Sequence, residues 1–282
     1  MYKIVSRKKL NATVTQMEIE APLVAAKALP GQFIILRVDE EGERIPLTVA
    51  GTDREKGTVK IIFQTVGSTT MRLDHKAEGD SIQDFAGPLG IPSNLEGLRK
   101  VCIVGGGVGC AIAMPIAQAL HEQGAEVTSV IGFRSKDIVI LEEEFAACSD
   151  RLILMTDDGS QGRHGNVTVP LKEMLEAGER FDAVITIGPL IMMKFVVLAC
   201  KPYDVPCIVS MNPIMIDGTG MCGGCRLTLH RDGQSHIAFA CVDGPDFNGY
   251  EVDFDEAMSR NRIYADFEGQ AREETCNLFR DV

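Results

Sequence analysis

Over residues 1–95 the apolar positions come in short runs. Residues 2–5, 14–19, 33–38, 58–64 and 81–85 are rich in β-formers, and turn pairs such as Pro30-Gly31, Glu41-Gly42 and Lys56-Gly57 separate them. Short strands at that spacing predict a small β-barrel. Gly87-Pro88-Leu89-Gly90-Ile91-Pro92 reads as rigid punctuation that closes this unit. From Lys100 the rhythm changes. A buried strand at 101–104 runs into Gly105-Gly106-Gly107-Val108-Gly109, and an apolar helix continues to about residue 120. Strands are predicted at 127–132, 152–156, 183–187 and 208–212, and helices at 142–147, 169–177 and 190–200. Strands alternating with helices predict an α/β, doubly wound parallel sheet. Residues 213–282 hold a cysteine-bearing loop, a hairpin-like pair at 226–230 and 235–240, and an acidic, polar tail. The expected division is therefore 1–97, 98–212 and 213–282, with no internal repeat.

The cysteine loop is the most specific motif. It reads Asp217-Gly-Thr-Gly-Met-Cys222-Gly-Gly-Cys225, followed after fifteen residues by Cys241. Plant-type [2Fe–2S] sites use Cys-x4-Cys-x2-Cys and a distant fourth cysteine. The spacing fits, with Asp217 in the first place. Glycines at 218, 220, 223 and 224 let such a loop curl with its N–H groups toward the sulfides. Two other readings stay open: a zinc site completed by His230 or His236, and reduced structural cysteines in a turn. The iron–sulfur reading is preferred because Cys241 stands alone, without the second Cys-x-x-Cys of a zinc ribbon.

Composition narrows the class. The 282 residues carry a net charge of −12, which argues against nucleic-acid binding. No apolar run approaches a membrane span, and no charged-then-apolar segment opens the chain. Nine scattered cysteines, several inside apolar runs, suit a reducing cytoplasm better than a disulfide framework.

Gly105 to Gly109 sits where a dinucleotide-binding loop belongs, between a buried strand and a helix. Glycine there lets the backbone approach a pyrophosphate, and the helix N-terminus favours its charge. Cys110 takes the third glycine position of the usual pattern, so a plain tight turn is the alternative. Asp157, Asp158 and Gly159 follow another strand, at the end that faces a ligand crevice. Two carboxylates there suit the hydroxyls of NAD and disfavour a 2′-phosphate. Arg134 and Arg163 argue the other way, and a solvated turn is equally open.

Together these pieces resemble the ferredoxin-reductase-like flavoproteins, in which a β-barrel FAD domain precedes an NAD(P)-binding domain. Arg44-Ile45-Pro46-Leu47-Thr48 resembles the family's Arg-x-x-(Ser/Thr) flavin signature. The resemblance implies that Arg44 neutralises the FAD pyrophosphate. It places the Thr48 hydroxyl at the reactive edge of the flavin. Gly67-Ser68-Thr69-Thr70 resembles the Gly-x-Gly-Thr-like pyrophosphate turn, with Thr69 where glycine is usual. Gly188, Pro189 and Met192 match the nicotinamide-side Gly-Pro-x-x-Met, and Ile187 replaces the cysteine that often precedes it.

A [2Fe–2S] segment after those two domains resembles electron-transfer subunits of dihydroorotate dehydrogenase. Asp217 brings the chain closer to small subunits of NADH-dependent reduced ferredoxin:NADP oxidoreductases, also described as sulfide dehydrogenase subunits. The resemblance implies FAD, NAD(H) and a [2Fe–2S] cluster as cofactors, with Asp217, Cys222, Cys225 and Cys241 as iron ligands. It further implies a larger flavin and iron–sulfur partner in a heterodimer or higher assembly. Ferredoxin would act through that partner, in flavin-based bifurcation that couples NADH and reduced ferredoxin to NADP reduction. The alternatives are a dihydroorotate-type subunit and, in another class, a zinc-stabilised nucleotide-binding assembly module.

Overall fold

The computed structural model describes residues 1–278. The first unit contains β1 (Tyr2–Lys9), β2 (Val14–Glu20), α1 (Pro22–Ala25), β3 (Phe33–Arg37), β4 (Arg44–Asp53), β5 (Thr58–Gln64), α2 (Ser68–His75), β6 (Ser81–Ile82) and β7 (Asp84–Leu89). Its strands form one antiparallel sheet in the order β6-β1-β2-β5-β4-β3-β7. The two edges, β6 and β7, are consecutive in the chain with only Gln83 between them, and the Gln83 N–H donates to Val38 O at 3.2 Å. The sheet therefore curls into a nearly closed barrel, which hides the open edges of a flat sheet. Met17, Ile19, Ile34, Leu36, Val59, Ile61 and Phe63 fill it, following the two-residue period of each strand.

Two local expectations are corrected here. Residues 44–53 carry an interior strand that the β-pattern did not reveal, because Pro46 and Gly51 interrupt it. Proline is tolerated because the first half of β4 pairs with β3 alone, from Arg37↔Arg44 to Phe33↔Thr48. Pairing with β5 begins only at Val49↔Ile61, so Pro46 forfeits no bond to a second neighbour. The stretch read as punctuation at 87–92 also belongs in part to the barrel, since β7 runs through Gly87 and Pro88 to Leu89.

The second unit contains β8 (Lys100–Gly106), α3 (Gly109–Glu122), β9 (Glu126–Phe133), α4 (Glu142–Ala147), β10 (Arg151–Thr156), β11 (Arg163–His164), α5 (Thr168–Glu176), β12 (Ala183–Ile187), α6 (Leu190–Cys200) and β13 (Cys207–Ser210). The remaining elements are β14 (Arg226–Arg231), β15 (Gln234–Phe239), β16 (Asp246–Asn248), α7 (Phe254–Arg260) and α8 (Ala265–Leu278). The second sheet runs β11-β10-β9-β8-β12-β13-β16, parallel except for β16 at the edge. From β8 the chain winds first toward β10 and then, after crossing back, toward β13. The direction changes between β8 and β12, the position where open α/β sheets bind ligands. Helix α3 covers the sheet with one apolar face, Cys110, Ala113, Ile116, Ala117 and Leu120.

The acidic, mostly polar tail has secondary structure of its own. It folds into α7 and α8, although its residues 279–282 lie outside the described residues. Asp253 caps α7 by accepting from the Glu256 N–H at 2.9 Å.

Strand β3 is buried on both faces. Ile34 and Leu36 point into the barrel, whereas Phe33 and Ile35 join a second core with Val209, Met215, Cys225, Leu227 and Cys241. The cysteine loop leans on that outer face: a Cβ on Gly218 would lie 2.6 Å from Leu89 Cδ1 and 3.2 Å from Ile35 Cγ1. Truncation to Ile35→Ala or Ile34→Ala is expected to cost about 2–5 kcal/mol in either case. Only Ile35→Ala should speed amide hydrogen exchange across residues 218–224. Equal exchange in the two variants would show that the loop does not depend on β3.

Candidate functional site

The one-sided pairing of β4 leaves the backbone of Arg44–Thr48 open on the side away from β3. Arg44 is exposed and has no ion-pair partner among the described residues, while Pro46, Leu47 and Thr48 are half-buried beside it. An uncompensated guanidinium next to an open strand edge is suited to an anionic group. Gly67 opens α2, and a Cβ there would meet nothing within 4 Å, so the turn faces free space. The Thr70 hydroxyl closes the turn from within by accepting the Val66 and Gly67 N–H groups, both at 3.0 Å. Thr69 is buried, and the Ser68 hydroxyl pairs with Thr275 Oγ1 at 2.7 Å. Gly67 thus has free space beside it at a helix N-terminus, and Arg44 is an exposed cation without an ion-pair partner among the described residues. FAD fits such a donor set.

The nucleotide loop and the Gly188-Pro189 turn sit at the carboxyl ends of the neighbouring strands β8 and β12, where Gly105 pairs with Ile187. Gly107 has φ +55° and open space beside it, as a turn facing a pyrophosphate requires. Gly109 allows α3 to press onto β12, since a Cβ there would fall 2.5 Å from Ile187 O. Met192 fills the gap between the two turns: a Cβ on Gly106 would meet its Sδ at 2.3 Å, and one on Gly188 its Cε at 2.7 Å. Gly106, Gly188, Pro189 and Met192 thus form one surface. Val108 lies at the start of α3, which also packs on β4.

The acidic loop divides. Asp158 accepts from Ser160 N at 3.0 Å and Ser160 Oγ at 2.6 Å, and those bonds hold its pKa below the ordinary value. Its carboxylate shapes the turn before Gly159. Asp157 is exposed and has no ion-pair partner among the described residues. Arg163 is paired with Glu173 through two parallel bonds of 2.8 Å. Arg134 remains exposed next to the loop, its carbonyl accepting the Asp158 N–H at 3.2 Å.

In the cysteine loop, Gly218, Gly220 and Gly223 take φ of +73°, +82° and +69°, conformations open to glycine. Cys225 and Cys241 face each other with sulfurs 3.1 Å apart, and both are buried. Burial, together with the facing Cys225 thiol, pushes the Cys241 thiol up to about 12. Cys222 is exposed, its sulfur 3.5 Å from Gly224 N. Asp217 accepts from Thr219 N at 2.8 Å and Cys222 N at 2.7 Å, which lowers its pKa. It therefore closes the loop, as a turn aspartate does. Among the described residues no three His, Cys, Asp or Glu side chains are gathered tightly enough to hold a metal ion. The donor chemistry still fits an iron–sulfur group: two facing thiols, a third in the same glycine-rich loop, and a carboxylate with unused lone pairs. The histidines of the zinc reading stand elsewhere. His230 Nε2 is 3.2 Å from Asp253 Oδ2 and its Nδ1 is 3.3 Å from Ser235 Oγ, near the far end of the β14–β15 hairpin. His236 pairs with Leu229, three residue pairs away from Arg226↔Phe239 at the cysteine end.

A family model described as the iron-sulfur cluster binding domain of dihydroorotate dehydrogenase B matches residues 212–253. A Thermotoga maritima protein named as a dihydroorotate dehydrogenase B (NAD(+)) electron transfer subunit homolog is 48% identical over 266 residues, 94% of this chain and 92% of its own. The dihydroorotate dehydrogenase B (NAD(+)) electron transfer subunit of Desulforamulus reducens is 32% identical over 84% of this chain and 91% of its own. A solved structure of NADH-dependent reduced ferredoxin-NADP oxidoreductase, described for flavin-based electron bifurcation, superposes with TM-score 0.89 at 45% identity, covering 97% of both chains. A cytochrome P450 reductase from Amycolatopsis, 22% identical over 72% of this chain and 65% of its own with TM-score 0.62, shares the fold alone.

The glycine contacts rank two substitutions. Gly109→Ala drives a Cβ into backbone that cannot yield, so it should lower the melting temperature and weaken NADH binding together. The cost is on the order of 1–3 kcal/mol. Gly106→Ala meets only the flexible end of Met192 and should cost less. Thermal melts and NADH titrations of both variants check this order.

Proposed function

Because the chain belongs to the family of dihydroorotate dehydrogenase B electron-transfer subunits and their homologues, we propose that it moves electrons between NAD(H), FAD and a [2Fe–2S] cluster. It does so within a complex that couples NADH and reduced ferredoxin to NADP reduction. The observation that carries this reading is the meeting of the three sites. The cysteine loop leans on Ile35, whose cross-strand partner is Pro46 of the flavin signature. The helix of the nucleotide loop packs on that same strand.

The chemistry supplied by a bound flavin is the change from two-electron to one-electron transfer. The protein's part is placement. Arg44 neutralises the FAD pyrophosphate, and Thr48 on β4 presents its hydroxyl to the reactive edge of the ring. Gly105 to Gly109 and the N-terminus of α3 take the pyrophosphate of NAD, with Met192 packed beneath. Asp157 turns toward the ribose hydroxyls. Cys222, Cys225, Cys241 and Asp217 hold the iron. Met221 and Ile216 beside the loop are 89% and 51% exposed, an apolar rim suited to a larger flavin and iron–sulfur subunit. Ferredoxin would engage through that subunit. The dihydroorotate-type reading differs in the partner, and the iron–sulfur family model alone does not separate the two. Asp217 favours the first; overall identity does not rank them, being 45% to the bifurcating oxidoreductase chain and 48% to the Thermotoga maritima homolog of the dihydroorotate-type subunit.

Anaerobic titration of the flavin- and iron-loaded chain tests the nucleotide side. NADH should bleach the flavin at lower concentration than NADPH, because Arg163 is tied to Glu173 and Asp157 faces outward. Equal or better affinity for NADPH would refute the preference and point to Arg134.

A second measurement addresses the iron. Asp217→Ala should lose iron, whereas Asp217→Cys should keep it with a changed EPR signal, since a thiolate replaces a carboxylate. Unchanged EPR and iron content in Asp217→Asn would leave Asp217 as a loop cap only.

A further inference from the structure

Helix α2 presents its N-terminal turn to the open space assigned above to the FAD pyrophosphate, and it is anchored at its other end. Asp74, near its C-terminus, accepts from Arg7 Nη2 at 3.2 Å, Lys9 Nζ at 2.6 Å and Thr15 Oγ1 at 2.5 Å. Those three bonds tie the helix to β1 and β2 and do not reach the first turn. The first turn is held instead by the last turn of α8. Ser68 Oγ pairs with Thr275 Oγ1 at 2.7 Å, and the Cys276 thiol lies 3.9 Å from Met71 Sδ. Thr275 is 3% exposed although the residues of α8 around it, Arg272 to Glu274, face solvent.

The direction of the Ser68–Thr275 bond follows from a third contact. Thr275 Oγ1 donates its own proton to Ala271 O at 2.9 Å. Toward Ser68 it can therefore only accept, and Ser68 must donate. The Ser68 proton is then spent on α8. What this hydroxyl has left is lone pairs, which do not attract a phosphate. The turn is left to bind an anion through the backbone N–H groups that Thr70 does not occupy, with the Ser68 side chain acting as the tether that aims them.

We infer that Thr275 is a positioning residue of the flavin site, acting through Ser68 to fix the turn Gly67–Thr70 for the FAD pyrophosphate. This rests on the placement of FAD proposed above. The sequence offers no sign of it, because the two residues are 207 positions apart.

The test is a double-mutant cycle on the full-length, iron-loaded chain. FAD dissociation constants are measured by ultrafiltration with fluorescence of the released FAD, alongside the visible circular dichroism of bound flavin. Ser68→Ala and Thr275→Val should each weaken FAD about fivefold, as loss of one hydrogen bond does. The double variant should be no weaker than either. Thr275→Ser, which keeps the hydroxyl, should bind like the parent, and iron content should stay constant throughout. Additive losses would overturn the inference, because Ser68 would then contact FAD on its own account. So would parent-like affinity in Thr275→Val or, should that variant not fold, in Ser68→Ala. Arg44→Ala separates this from the premise. If it loses FAD while the Thr275 and Ser68 variants keep theirs, the site stands and the tether falls. If Arg44→Ala keeps its full flavin, the site assignment falls and the tether with it.

Discussion

The outer face of β3 is the constraint on which the arrangement depends. A barrel strand normally buries one face, but here Phe33 and Ile35 are as buried as Ile34 and Leu36. The outward pair belongs to a core that also contains Val184 and Val209 of the second sheet and Cys225, Leu227 and Cys241 of the cysteine segment. Apolar burial is non-directional, so this core alone would not set an orientation. Glycine sets it. Gly218 and Gly90 permit approaches that any side chain would block, the second bringing the chain against Phe33 and the Gly244 carbonyl. The Ile91 N–H donates to that same carbonyl at 2.7 Å, fastening the link between barrel and α/β unit to the segment that follows Cys241. Three parts of the chain thereby meet at one junction.

The same logic governs the nucleotide end. The change of winding direction between β8 and β12 opens a crevice in any doubly wound sheet. In this chain Met192 is seated against Gly106 and Gly188 at that point. A long unbranched thioether fills such an irregular gap and can adjust its packing. The crevice also lies close to the barrel, because α3, which starts at the glycine loop, packs on β4. The strand bearing Arg44 and Thr48 is thus flanked by the nucleotide helix and, through β3, by the cysteine loop.

What was legible in the sequence had a local cause. α4, α6 and β12 begin and end where the apolar pattern placed them, at Glu142–Ala147, Leu190–Cys200 and Ala183–Ile187. Each is a continuous segment whose pattern reflects its own burial. Where local pattern and tertiary role diverge, the reading failed. β4 looks unlike a strand because its first half has one neighbour and admits Pro46. β16 is only three residues long and gains its place as an edge from β13 rather than from its own pattern. The candidate site shows the same split. The glycine turns and the cysteines were visible as motifs. That Arg163 is occupied by Glu173, that Asp158 serves its own turn, and that the histidines lie toward the far end of a hairpin are facts of pairing, which spacing cannot report.

The cysteine loop has an inside and an outside, and on the proposed reading this gives electron flow a direction. Cys225 and Cys241 lie within the core shared with Ile35 and are 1% and 2% exposed. Cys222 and Met221 lie at the surface, with Asp217 binding the loop between them through the Cys222 N–H. An iron–sulfur group held by these four residues would be shielded by protein on the flavin side and thinly covered on the other. Shielding favours rapid transfer from a neighbour fixed in place, because little solvent must reorganise. Exposure permits transfer to a partner that docks. A subunit working alone gains nothing from an uncovered metal group edged by bare methionine and isoleucine. On the proposed reading, a second protein set against the same edge would make it a dry contact and continue the path from the nucleotide end. The acidic character of the chain, −12 overall, is compatible with this, since the rim beside the loop at Ile216 and Met221 is apolar rather than charged. Association there would rest on burying the rim, with charge acting at longer range to orient the approach.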